Sequence, residues 1–244
     1  MDKLIYTAMS GAKMAMARQD TLAQNLANLS TPGYRAESTA FRAVPLAGSP
    51  TRVFALETTT GADFSSGPIT QTGRNLDIAL NGPGWIAVEG RDGREAYTRN
   101  GSFQVSAEGI LQTAGGLNVL SDGGPMAIPA SAAIRIETDG TVSALPAAQP
   151  NAVISVGRIK LVNPPTAGLT RSLDGLFRMK NGGSARFDET LRVAPGAIEG
   201  SNVNAVEALV GMIEVARQYD LQMKLLQNAE GNAQQASRLL AVQS

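Results

Sequence analysis

Val203–Leu240 reads VNAVEALVGMIEVARQYDLQMKLLQNAEGNAQQASRLL, and its apolar residues return at steps alternating between four and three. Ala205, Leu209, Met212, Ala216, Tyr219, Met223, Leu226, Ala233 and Leu240 carry the repeat, which Glu230 and Ser237 interrupt. That rhythm predicts a helix with a coiled-coil-like seam rather than one laid on a sheet. At the other end of the chain, Leu4–Leu29 keeps the same period through Ile5, Ala8, Ala12, Ala15, Leu22, Leu26 and Leu29, with Gln19 as its polar member. The small residues of this segment allow another helix to approach closely. From Val206 to Leu240 a single helix would extend about 50 Å at 1.5 Å per residue, enough to meet several neighbours. Such helices draw their stability from packing more than from propensity, so the sequence predicts that both are disordered or frayed in an isolated chain.

The first helix has a sharp end. Asn28-Leu29-Ser30-Thr31-Pro32-Gly33-Tyr34 places a proline that cannot continue the helix beside a glycine suited to the positive φ of a turn. Beyond it, residues 34–72 are rich in Ala, Thr, Ser, Pro and Gly, with short β-prone pieces such as Arg52–Leu56, and read as an extended connector. Residues 73–193 alternate short strands with glycine turns. Leu76–Leu80 and Trp85–Val88 flank Asn81-Gly82-Pro83-Gly84; Ala96–Arg99, Ser102–Val105 and Ile110–Thr113 follow, parted by Asn100-Gly101 and Glu108-Gly109. Ile134–Glu137, Thr141–Ala144, Val153–Val162 and Leu176–Met179 continue the series, which predicts an all-β domain of successive hairpins. The expected fold is therefore mixed α and β. Residues 1–33 and 194–244 form the two halves of a helical assembly domain, and the β-domain is inserted between them.

Composition narrows the function. Lys+Arg and Asp+Glu balance at 21 each, which gives no general attraction to nucleic acid or an anionic surface. The chain has no cysteine and no histidine. Disulfides, thiolate nucleophiles, cysteine metal sites and the commonest general base are thereby excluded. Asp139 and Asp174, either of which could be paired with a glutamate for glycoside hydrolysis, stand in Asp-Gly turn dipeptides, as do Asp92 and Asp122. Gly82-Pro83-Gly84 lacks the Gly-Lys-Ser/Thr and following helix of a phosphate loop and reads as a turn. The expectation is a non-enzymatic protein without catalytic, cofactor or metal site and without a small-molecule substrate. No stretch approaches the roughly 20 apolar residues of a membrane helix. Lys13, Arg18 and Asp20 fall where a cleavable signal would keep its apolar run.

The two ends carry a further likeness. Asn25-Leu26-Ala27-Asn28-Leu29-Ser30-Thr31-Pro32-Gly33-Tyr34, and Glu199-Gly200-Ser201-Asn202-Val203-Asn204 followed by Val206, Val210, Met212-Ile213, Arg217 and Tyr219, resemble the paired terminal signatures of the axial proteins of the bacterial flagellum, its rod and hook subunits. Between them Thr72-Gly73-Arg74-Asn75-Leu76-Asp77 and Tyr97-Thr98-Arg99-Asn100-Gly101-Ser102-Phe103 resemble the β-domain that rod and hook proteins share. Ile5–Ala12, Phe41–Pro45 and the length are most similar to the proximal-rod type, with the distal-rod type as its competitor. The resemblance implies a structural rod subunit that polymerises through its terminal helices into the tubular drive shaft transmitting motor torque and enclosing the export channel. Its implied partners are copies of itself, other rod proteins including the distal-rod protein, and the flagellar type III export apparatus. Its implied place is the basal body where the rod crosses the periplasm, reached without signal cleavage. The motif residues are Asn25, Asn28, Thr31, Pro32, Gly33, Tyr34, Ser201, Asn202, Val203 and Asn204. The expected assembly residues are Ile5, Leu22, Leu26, Leu29, Leu209, Met212, Ala216, Tyr219, Met223 and Leu226. Two readings stand beside this one: a secreted oligomeric β-domain binding module, and a self-sufficient monomer whose helices form an internal hairpin. The amides Gln218, Gln222, Gln227, Asn228, Asn232, Gln234 and Gln235 give the second helix a charge-poor polar surface suited to a channel wall.

Overall fold

The computed structural model describes residues 2–46, 49–129, 132–146 and 153–242. They fall into two compact units, one of residues 1–29, 37–63 and 203–244, the other of residues 30–36 and 64–202. The first unit is helical with a β-hairpin, and the second is all-β.

In the helical unit α1 spans Asp2–Ala27 and α2 spans Ala205–Val242. The two run antiparallel: a Cβ placed on Gly11 would meet Gln222, and one on Gly211 would meet Leu22. Ala8, Ala12 and Ala15 are buried on α1, as expected. Among the described side chains of α2 the buried ones are Ala208, Val215 and Ala229. The buried line thus lies one residue away from the Leu209–Ala216–Met223 line read from the sequence. Small residues on both helices bring the backbones close, and at that distance alanine and glycine fit where leucine does not. The helices are accordingly paired within one chain rather than left without partners. Ala233 and Leu240, two expected seam members, lie outside the residues whose side chains are described.

The supposed connector is also structured. β1 (Glu37–Leu46) and β2 (Ser49–Ala62) pair antiparallel from Glu37–Ala62 to Leu46–Ser49, with irregularities at Ala40/Phe41 and Pro45/Leu46. Those interruptions, and the Ala- and Pro-bearing composition, hide the period-two alternation by which a hairpin is recognised. Asn25 clamps the start of β1 to α1. Its amide donates to the Glu37 carbonyl at 2.9 Å and its oxygen accepts from the Glu37 N–H at 2.7 Å.

The β-unit centres on a five-stranded sheet. Its order is Leu161–Val162, Trp85–Glu89, Glu95–Thr98, Phe177–Met179 and Leu169–Arg171, antiparallel throughout. A three-stranded sheet (Ala132–Ile136, Thr141–Pro146, Ile154–Arg158) and the hairpin Phe103–Val105/Leu111–Thr113 share its core, in which Ile86, Val88, Phe103, Leu111, Val142, Ile159 and Leu161 pack together. The predicted turn acids do the work of turns. Asp92, Asp139 and Asp174 each accept the backbone N–H two residues on. Two expected hairpins are absent: Asn100-Gly101 closes none, because Glu95–Thr98 pairs with Trp85–Glu89 and Phe177–Met179 while Phe103–Val105 pairs with Leu111–Thr113, and Ile78–Asn81 pairs with Arg192–Pro195, far along the chain, instead of with the adjacent strand at Trp85. The intervening Gly82 and Gly84 both take positive φ, and the chain leaves Asn81 for a different sheet instead of folding back on itself.

Candidate functional site

The β-unit is stapled at one place, where two straps meet. Residues 31–36, which follow α1, and residues 197–202, which precede α2, converge on Glu199. Its side chain is only 1% exposed. The carboxylate accepts from Arg35 Nη2 at 2.7 Å, from Arg99 Nη1 at 3.0 Å and from the Gly67 N–H at 2.9 Å. The Glu199 carbonyl accepts the Gly33 N–H at 2.8 Å. Arg99 also donates from Nη2 to the Gly82 carbonyl at 2.8 Å. Two buried guanidinium groups thus share one carboxylate. Burial is the leading influence on Arg99 and lowers its affinity for a proton; Glu199 opposes it and Arg35 adds to it.

The turn read from Thr31-Pro32-Gly33-Tyr34 is what admits this contact. Gly33 has φ +68°, and a side chain there would run into the backbone of Arg99 and Asn100. Tyr34 is buried beneath Arg171, whose guanidinium lies 4.4 Å from the ring centroid and donates to the Arg35 carbonyl at 2.8 Å. Asn202 completes the closure. Its oxygen accepts the Ala36 N–H at 2.7 Å while its amide donates to the Ser65 carbonyl at 3.0 Å. Trp85 is the centre of the neighbouring aromatic cluster, 4.6 Å from Phe177 and 5.9 Å from Phe64, with Arg99 5.7 Å from its ring. Thr72, Arg74 and Ser102 surround the buried Asp77, so the two internal motifs meet as well: Thr72 Oγ1 donates at 2.7 Å and Ser102 Oγ at 3.2 Å.

The remaining motif residues have local duties. Asn28 donates to the Gln24 carbonyl at 2.9 Å in the last turn of α1. Thr31 accepts the Tyr34 N–H through its carbonyl at 3.3 Å, Pro32 is half-buried beside it, Ser201 is buried and Val203 half-buried. Asn204 caps α2, its side-chain oxygen accepting from Val206 N at 3.0 Å and Glu207 N at 3.3 Å. Glu199 and Arg99 both lie inside the motifs, 100 residues apart, and nothing in the local sequence names either as the other's partner. The only local signal was a charged residue in an otherwise β-like, turn-bounded segment.

The expected assembly residues are distributed over the helical unit. Ile5, Leu22, Leu26, Met212, Tyr219, Met223 and Leu226 are half-buried, whereas Leu29, Leu209 and Ala216 are exposed. A second apolar stripe faces outward: Tyr6, Met9 and Met16 on α1, and Val206, Leu209, Val210, Ile213, Leu221 and Leu225 on α2. Of the amides on α2, Gln218, Gln227, Asn228, Asn232 and Gln235 are exposed, Gln222 sits at the helix contact beside Gly11, and the side chain of Gln234 lies outside the described residues. Among the described residues no helix is long and apolar enough to cross a membrane.

These features coincide with what the chain matches. Residues 5–35 match the family of flagella basal body rod proteins, residues 79–144 the D1 domain of the flagellar hook protein FlgE/F/G family, and residues 194–239 the C-terminal region of the flagellar basal body rod FlgEFG proteins. The class is that of flagellar rod and hook proteins. The chain is 46% identical to the flagellar basal-body rod protein FlgF of Escherichia coli (strain K12), over 99% of its own length and 100% of that protein's. It is 43% identical to FlgF of Salmonella typhimurium over the same shares, and 28% identical to the rod protein FlgG of Buchnera aphidicola subsp. Schizaphis graminum over 96% of this chain. The chain belongs to the FlgF family of flagellar basal-body rod proteins. Neither the distal-rod reading nor the secreted binding module is favoured by these matches.

Proposed function

We propose that the protein is a structural subunit of the flagellar basal-body rod, joined to copies of itself and to other rod proteins, the distal-rod protein among them, through its terminal helices. The observation that carries this reading is the second apolar stripe. A helical hairpin that has already covered its small-residue seam still exposes Val206, Val210, Ile213, Leu221 and Leu225 along one helix, an array of large apolar side chains that a monomer has no reason to keep. Covering each would contribute roughly 1.5 to 3 kcal/mol. Distributed over several neighbours, those contacts suit a shaft that transmits torque. Ile5, Leu22, Leu26, Leu29, Leu209, Met212, Ala216, Tyr219, Met223 and Leu226 remain the proposed assembly set, with a coiled-coil-like arrangement between subunits.

In this reading the chain reaches the basal body through the type III export apparatus without signal cleavage, and the rod it enters crosses the periplasm. The exposed amides Gln218, Gln227, Asn228 and Asn232 favour a channel-facing position for part of α2, because neutral groups hold a passing unfolded chain less tightly than charges do. The test is complementation of a strain lacking the protein with Leu225→Asp. Rods should fail to form while Trp85 fluorescence of the purified variant stays native. Normal rods from that variant would remove the stripe from the assembly surface.

A further inference from the structure

We propose that the last strands of the β-unit act as a folding gate, holding the unit open until residues 192–202 are available. The topology makes the first strands depend on the last. Ile69–Gln71 pairs with Ala197–Glu199 and Ile78–Asn81 with Arg192–Pro195, and each of these ladders is a two-stranded sheet of its own. Single backbone bonds repeat the pattern: the Gly33 N–H reaches the Glu199 carbonyl, the Gly200 N–H reaches Pro68, and the Gly196 N–H reaches Asp77 while its carbonyl accepts from Thr72 and Gly73. Without residues 192–202, the buried members of these pairs, Gly33, Asp77 and Ile78–Leu80, lose those partners and favour water.

The charge triad enforces the same dependence. Arg35 and Arg99 stand 164 and 100 residues before Glu199, the acid that both bind. Arg99 directly follows the central strand Glu95–Thr98, so burying that strand's end before Glu199 arrives would bury an unpaired cation. Each contact also closes a long loop, whose entropy must be met before any bond rewards it. Closure is therefore one late event, and a chain emerging N-terminus first remains open until about residue 202.

Pulse-labelled hydrogen exchange during refolding of the full chain tests this. Amides of Ile78–Asn81 and Trp85–Glu89 should gain protection in the same kinetic phase as those of Arg192–Gly200. Protection of Trp85–Glu89 and Glu95–Thr98 in an earlier phase, with Arg192–Gly200 following, would overturn the gate. Glu199→Gln provides the second reading. A gate at the transition state predicts refolding slowed at least tenfold, whereas unchanged refolding with faster unfolding contradicts it. Should that variant not fold, the pulse-labelling order in the unaltered chain still decides.

Discussion

Replacing Glu199 by glutamine keeps the shape of the side chain and removes its charge, and the consequence can be worked from the site. Glu199 is 1% exposed, Arg35 is equally buried, and Arg99 is 4% exposed, so none of the three can relax into water without opening the unit. In the variant, two guanidinium groups share a neutral amide, whose oxygen can serve one of them and whose NH2 faces the other. Removing one partner from a buried ion pair costs roughly 3 to 5 kcal/mol, since the survivor is left uncompensated. A loss of about 4 kcal/mol lowers the folded-to-unfolded ratio roughly a thousandfold, and for a unit of this size corresponds to a fall of about 8–16 °C in Tm. Urea titration followed by Trp85 emission is the assay, because the single tryptophan sits 5.7 Å from Arg99. The control is the triple variant Arg35→Met, Arg99→Met, Glu199→Leu, which removes all three charges and should lie within about 2 kcal/mol of the parent. A loss below about 1 kcal/mol for Glu199→Gln, or a triple variant worse than the single one, would refute the view that uncompensated charge is the cost.

Other outcomes follow from the same geometry. Gly33→Ala combines a left-handed backbone at φ +68° with a clash against Arg99–Asn100, and should cost about 2–5 kcal/mol by thermal unfolding; a loss under 1 kcal/mol would mean the strap shifts freely. Asn204→Ala removes the cap of α2 and should weaken that helix by about 1 kcal/mol, seen as faster amide exchange at residues 205–208 with the β-unit unchanged. Acid should destabilise the β-unit. The hydrogen bond from Arg94 takes Asp92 from the usual 3.8 to about 2, and Arg178 and Thr141 likewise lower Asp174 and Asp139. Carboxylates lowered on folding stabilise above 3.8 and lose that contribution as pH falls through their folded values. The urea midpoint should be flat from neutrality to about pH 4 and decline below it; a midpoint that holds steady from pH 4 to pH 2 would show these turn contacts to be energetically silent.

Much of this architecture is legible from local patterns, and the exceptions have a common cause. The end of α1, the Gly33 turn and the positions of the strands and turns from Trp85 to Met179 depend on neighbours in sequence, and periodicity or turn chemistry reports them directly, whereas the pairing of Leu161–Val162 with Trp85 and of Phe177 with Tyr97 does not. The partner of Ile78–Asn81 does not, since Arg192–Pro195 carries nothing that names its mate. The α2 seam was displaced by one position because counting large apolar residues favours Leu209 and Met223, while close helix contact selects Ala208, Val215 and Ala229. Of those two large residues Leu209 belongs to the outward stripe, and Met223 is half-buried. The hairpin of β1 and β2 was hidden by its irregular register. Least legible was the triad: whether Arg35, Arg99 and Glu199 are solvated or buried depends on strands far apart in sequence. The motifs flagged the right neighbourhood through resemblance, and the geometry supplies its reason.

Because the chain has no cysteine, one introduced thiol reports a single surface, and this gives the most direct test of assembly through the helical unit. Ile213 is 56% exposed on the outward stripe of α2. In an Ile213→Cys variant that still complements, the thiol should react with maleimide rapidly in the purified subunit and be protected in isolated basal bodies. Equal labelling in the free subunit and in the rod would contradict the account.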